Sequence, residues 1–206
     1  MYQDLLRDSS FFDLLLRFDA DLAQEVQAAG CPCGGVLHSA RYPRKPRGGP
    51  EELSREHGMR ASFCCAREGC RRRATPPSLR FLGRKVFFGV VVVLLPILRE
   101  GPSPERLRRL EQRFAVSRRT LYRWREWWQD LVPRSRWWQS ERGHYATPVD
   151  AEKLPGSLLA AFSGIEGAAD RVVAVLRRLA SLSDDRFGHA SRRLSAARRG
   201  CISTQM

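Results

Sequence analysis

The stretch FCCAREGCRRR, from Phe63 to Arg73, places Cys64, Cys65 and Cys70 close together and follows them with Arg71, Arg72 and Arg73. Upstream, CPCGG opens at Cys31 and carries a second pair, Cys31 and Cys33. Read as C-x-C, 31 intervening residues and C-x4-C, the two pairs have the plan of a ribbon. In such a ribbon two hairpin tips bring four thiolates to one tetrahedral ion. Glycine beside each pair lets the turns tighten. The favoured ligand set is Cys31, Cys33, Cys65 and Cys70, with one structural Zn2+, because four thiolates leave no position open to water. Both turns depart from the commoner C-x2-C. Cys64 in place of Cys65 gives C-x5-C; Cys65 is preferred because the pleat of a strand puts it on the same side as Phe63. His38 and His57 are alternative ligands, and buried cysteines without metal are the bland alternative. No histidine stands where it would make a partnered base for a catalytic cysteine.

Residues 30–80, the expected ribbon, are poor in long apolar runs and rich in Gly, Pro, Arg and Cys. RYPRKPRGGPEE reads as loop, while GVLHSARY and MRASFCC read as short strands. A segment of this size and polarity buries too little surface to fold unaided, which is a second reason to expect a metal.

Leu107 to Trp124, LRRLEQRFAVSRRTLYRW, fits a helix-turn-helix within a three-helix unit over 83–132. Ser103-Pro104 supplies a cap and a first-turn proline for one helix. Ala115-Val116 makes the turn, and Ser117 caps the next helix. Leu121, Trp124, Trp128 and Leu131 recur at helical spacing and are expected to stack inward. Arg119, Tyr122 and Arg123 lie on the other side as candidate base readers, with Arg118 and Arg125 as phosphate contacts. Two positions depart from the pattern: Ala115 stands where glycine is common, and Glu111 where a small residue is usual. An ordinary hairpin with a solvated arginine face is the competing reading. The first helix of the trio is placed on the apolar run Arg84–Arg99.

Residues 1–29 read as an acidic amphipathic helical segment, with Ser9 or Ser10 as a cap, that covers a neighbouring module or a second copy. A polar linker is expected over 133–155, where Trp137 and Trp138 are candidates for an exposed contact surface, as is Trp127. A helical hairpin follows over 156–183, then a basic tail over 184–206, expected to be disordered. The fold class is mostly α with a small β ribbon.

The 206-residue chain carries a net charge of +14 and has a pI near 10.7. Lysine stands only at 45, 85 and 153, so nearly all the cation is arginine, whose planar fork suits phosphate and guanine edges. A GC-rich genome is the plain alternative source of that arginine. The most apolar run, VFFGVVVVLLPIL, has 13 residues against the roughly 20 needed to span a bilayer. The amino terminus shows no export signal, so the expected setting is cytoplasmic and nucleoid-associated, where thiols stay reduced.

The segments CPCGG, LHSARYPRKPRGG, FCCAREGCRRRATPPS and RFLGRK, followed by RRTLYRWREWW, together resemble the zinc-ribbon and helix-turn-helix amino-terminal portion of bacterial insertion-sequence transposases. The likeness is greatest to small transposase-related proteins that keep this portion alone, and it covers roughly residues 30–135. The resemblance implies zinc ligands at Cys31, Cys33, Cys65 and Cys70, and a recognition helix from Ser117 to Trp128. Transposases of this kind cut DNA with three carboxylates that hold two metal ions. Beyond residue 132 there is no convincing strand run, and acids such as Asp150, Glu152, Glu166, Asp170, Asp184 and Asp185 are scattered, so no enzyme activity is expected.

The expected partner is double-stranded DNA, with a homodimer or a transposase as a further partner, and neither a membrane nor a small-molecule substrate. Competing readings are a transcriptional regulator, a protein-docking adaptor that uses the tryptophans of the linker, and an RNA binder.

Overall fold

A computed structural model describes residues 2–83, 85–94 and 103–183; the expected basic tail and the far end of the Arg84–Arg99 run lie outside the described residues. After a single turn, α1 (Tyr2–Leu5), the chain enters α2 (Ser9–Ala29), the longest helix. Its cap is Asp8, whose carboxylate accepts the Ser10 amide, rather than either expected serine. A carboxylate at this end also meets the positive pole of the helix. The inner face serves two cores. Phe11, Phe12 and Leu15 enter the main one, while Ala23 and Val26, two turns on, pack against a small second core of Cys31, Leu37, Phe63 and Cys65.

Gly30 ends α2 and hands the chain directly to Cys31. The polar segment then forms five very short strands: β1 (Leu37–Ser39), β2 (Tyr42–Pro43), β3 (Met59–Arg60), β4 (Phe63–Cys65) and β5 (Arg73–Ala74). β1, β4 and β5 make an antiparallel sheet in that order, with Leu37 opposite Cys65 and Cys64 opposite Arg73; β2 and β3 pair separately. Strands of two or three residues cannot hold themselves together. A buried carboxylate does much of it. Asp19 of α2 accepts the Ser78 hydroxyl, the Leu79 amide at 2.6 Å and Arg80 Nε at 2.8 Å. Arg80 spends its remaining donors on the carbonyls of Glu56, His57 and Met59.

The apolar run behaves differently from expectation. Residues 85–88 are not helical: Arg47 brackets them through its amide on the Val86 carbonyl and its carbonyl on the Phe88 amide, and Val86 is exposed. The helix begins only at Gly89, giving α3 (Gly89–Leu94), buried throughout. A side chain at residue 89 would meet the Leu79 carbonyl and Leu82 at 3.1 Å, so glycine permits this entry. α4 (Pro104–Phe114) and α5 (Arg118–Glu126) follow, and a π-helical turn over Trp127–Leu131 extends α5.

That turn corrects the expected inward stack. The Val132 amide reaches back five residues to Trp127, and the extra residue rotates the register. Leu131 is therefore 56% exposed, and Val132, 2% exposed, takes the core position. Trp128 is fully enclosed, with its indole donating to the Val92 carbonyl.

The expected linker is also revised. Ser135 caps α6 (Arg136–Glu141), and Trp137 and Trp138, 5% and 3% exposed, sit in the main core, where the Trp137 indole donates to the Arg178 carbonyl. α7 (Gly156–Ala161) and α8 (Ala168–Leu179) complete the core through Leu158, Val172, Val175, Leu176 and Leu179. The described chain is thus mostly helical, with two small antiparallel sheets, the three-stranded one beside a cysteine cluster. No helix among the described residues is long and apolar enough to cross a membrane.

Removing the Asp19 carboxylate strands the Arg80 guanidinium in the interior. Asp19→Ala is expected to cost about 3–5 kcal/mol of stability, seen as a lower midpoint in urea unfolding; a midpoint equal to that of the parent would contradict this role.

Candidate metal centre and basic surfaces

The two cysteine turns meet at one end of the three-stranded sheet, where β1 begins and β4 passes to β5. In the first, the Gly34 amide closes on the Cys31 carbonyl at 2.7 Å and the Cys31 amide reaches the Gly35 carbonyl at 3.1 Å. Gly34 takes the left-handed conformation this tight return requires. In the second, Cys65 leaves β4, and the chain turns through Gly69 and Arg71, both at positive φ, with the Cys70 amide on the Arg67 carbonyl.

The turns bring Cys31, Cys33, Cys65 and Cys70 together, with all four Sγ atoms within 4.8 Å of one another. Cys33 and Cys65 lie 3.5 Å apart and Cys31 and Cys70 3.8 Å apart. A tetrahedron with metal–sulfur bonds of ~2.3 Å has edges of about 3.8 Å, so the set fits one metal ion. Cys64 stands apart: its sulfur faces the carbonyls of Cys65 and Arg71. Strand alternation decides between the two neighbours, since Phe63 and Cys65 turn inward and Cys64 outward. Neither alternative histidine joins the cluster. His57 is buried between Ser54 and Asp13, and His38 pairs across the sheet with Cys64.

The electrostatics favour a cation. The Gly35 amide, then hydrogen bonds from Cys70 and Cys31, lower the Cys33 thiol to about 6. At Cys65 the Arg67 amide works in the lowering direction, but burial and the shared bonds with Cys33, Cys31 and Cys70 push the thiol up to about 12. The lowered Cys33 thiol thus sits beside the raised thiols of Cys31 and Cys65, and an ion seated among them would displace their protons.

Two residues that support the site carry no obvious mark in the sequence. Arg67 donates its amide toward Cys65 Sγ at 3.4 Å and its guanidinium to the Cys33 carbonyl at 2.6 Å, tying one turn to the other. At Gly35, a Cβ would stand 2.6 Å from Cys65 Sγ and 3.3 Å from Cys33 Sγ. The second glycine of CPCGG is the only hint of that requirement.

The arginine surfaces divide. Arg71, Arg72 and Arg73 are exposed beyond the second cysteine turn, with the Arg72 carbonyl accepting the Cys65 amide. On α5, Ser117 caps by accepting the Thr120 amide. Ala115, at φ +49°, bears the left-handed turn where glycine was expected. Glu111 accepts both the amide and Nε of Arg118, at 3.0 and 3.2 Å, so it closes the start of α5 and restrains that arginine. Arg119, Tyr122 and Arg123 face solvent, opposite the buried Leu121 and Trp124. Arg125 is half-buried, with Nε enclosed and unbonded, which makes it the least available of the expected contacts.

Comparison with protein-family models, with curated proteins and with solved structures finds no match to this chain.

Cys70→Ser is expected to lose the bound ion, whereas Cys64→Ser should retain about one ion per chain by mass spectrometry. Equal metal contents in the two variants would contradict the assignment. Gly35→Ala should weaken the metal roughly 10–100-fold in a chelator competition, because its methyl group displaces two of the sulfurs.

Proposed function

We propose that this chain is a zinc-stabilised, sequence-specific duplex-DNA-binding protein of mobile-element type, acting by recognition rather than by strand cleavage. The observation that carries this reading is the division of α5. One side, Leu121 and Trp124, continued by Trp128, is locked into the core, while Arg119, Tyr122 and Arg123 stand free on the other. Among the described residues neither Arg119 nor Arg123 is drawn into an ion pair, so their donors remain available to a partner.

In this reading α4 and α5 form a helix-turn-helix and the cysteine-bearing sheet is a zinc ribbon. Zinc is preferred because four thiolates at tetrahedral spacing suit a redox-inert ion that closes its shell. Bound there, it would hold the two cysteine turns together and so fix the start of the Arg71–Arg73 run. Those arginines contact phosphate and set the register, while Arg119 and Arg123, one turn apart on the same face, reach base edges in the major groove. The restrained Arg118 serves phosphate. The net charge of +14 supports a polyanionic partner, and the resemblance of residues 30–135 to transposase amino-terminal portions supports DNA as that partner. The docking-adaptor reading rested on exposed tryptophans at 137 and 138; both are in the core, which weighs against it.

Selection from a random duplex pool, followed by gel retardation, tests the proposal. The parent should retard its selected duplex, with affinity falling at least about tenfold between 50 and 200 mM salt. Arg119→Ala and Arg123→Ala should each cost about 1–3 kcal/mol and relax preference at one base pair. Arg72→Ala should weaken all duplexes alike. Retardation of no duplex by metal-loaded protein would overturn the reading.

A further inference from the structure

Lys85 is one of only three lysines in a chain that otherwise uses arginine, and its setting is unlike that of the other two. Its ammonium lies 3.6 Å from the centre of the Trp127 ring, a close cation–π contact. Trp127 follows Arg123 by one helical turn, and Arg123 follows Arg119 by another, so Lys85 sits at the end of the exposed basic line of α5. The backbone at this residue is firmly held. The Lys85 amide bonds the Leu82 carbonyl, and Arg44 Nη2 grips the carbonyls of both Gly83 and Lys85, at 2.9 and 3.0 Å. On the next turn of chain, Phe87 packs edge-on against Trp124 at 5.0 Å.

Among the described residues no carboxylate pairs with this lysine. Burial, then the charge of Arg123, lowers the ammonium to about 8, and no carboxylate acts to raise it. Two cations from separate elements come close enough for one to act on the other. In water such a pair separates; here the indole and the pinned backbone keep Lys85 in place. An anion that bridges Lys85 and Arg123 relieves the repulsion, and on a duplex-binding face the available anion is a backbone phosphate.

We infer that Lys85, seated on Trp127, is a further phosphate-binding residue that extends the α5 surface beyond the helix-turn-helix pattern. This inference rests on the DNA reading for the identity of the phosphate. A lysine suits the position as a compact point charge, and Trp127 holds its stem.

The test uses the full metal-loaded chain as parent, Lys85→Met and Lys85→Arg. Lys85→Met keeps an unbranched stem over the indole and removes the charge. It should bind every duplex about three- to tenfold more weakly, with the slope of log affinity against log salt reduced by about one, while Lys85→Arg stays near the parent. If the parent retards duplex and Lys85→Met matches it in affinity and slope, the inference fails and the DNA reading stands. A second measurement needs no DNA. With three lysines, the Lys85 side-chain resonance is assignable by NMR from its loss in Lys85→Met. It should shift saturably with inorganic phosphate and not with chloride at equal ionic strength. If no duplex is retarded, a saturable shift still upholds an anion site at Lys85, and no shift overturns it.

Discussion

The carboxylate of Asp19 holds together parts of the chain that have no other strong reason to meet. It sits on the inner face of α2 and collects three donors from Ser78, Leu79 and Arg80. Arg80 passes the connection on to the carbonyls of residues 56, 57 and 59. Both charges are almost fully enclosed, and isolating either would cost several kcal/mol; their mutual bonds and the carbonyls offset that cost. The next residue, Phe81, enters the main core with the guanidiniums of Arg44, Arg60 and Arg80 lying 5.0–5.8 Å from its ring centre. A polar, strand-poor segment is thus anchored to a helical core by an ion pair and a ring, with modest apolar burial of its own.

This anchoring ties the small second core to the main one. α2 contributes to both, and the non-helical segment 85–88 is bracketed by Arg44 and Arg47 from the segment between β2 and β3 before it reaches α3. The exposed arginines beyond the second cysteine turn and those of α5 are carried on a continuous framework. On the proposed reading, arginines displayed on such a framework lose less conformational entropy when they meet the duplex.

Much of this was legible from local pattern. The four cysteines that converge are the four that spacing and pleat select, and the inward placement of Leu121, Trp124 and Trp128 follows helical periodicity. The failures have local physical causes. Periodicity assumes 3.6 residues per turn, and the π-helical turn at Trp127–Leu131 breaks that assumption, exchanging Leu131 for Val132. Polar neighbours made Trp137 and Trp138 look like surface residues, yet α6 presents its two indoles inward while its serine, glutamine and arginine face water. The apolar run that starts at Val86 offered no period at all, so its non-helical start was invisible.

By itself, the sequence determined the thiol chemistry, the cationic balance, the cap at Ser117, and which face of α5 turns inward, because each depends on residue type and short-range spacing. Tertiary structure alone decided that Asp19 is a buried clamp while Asp13 and Asp21 are not, that Glu111 closes the start of α5, and that Lys85 meets Trp127. Those outcomes join residues as far as about sixty positions apart. A carboxylate, an ammonium or an indole looks the same along the chain wherever it ends up; its role is set by what the rest of the fold brings within three or four ångströms of it.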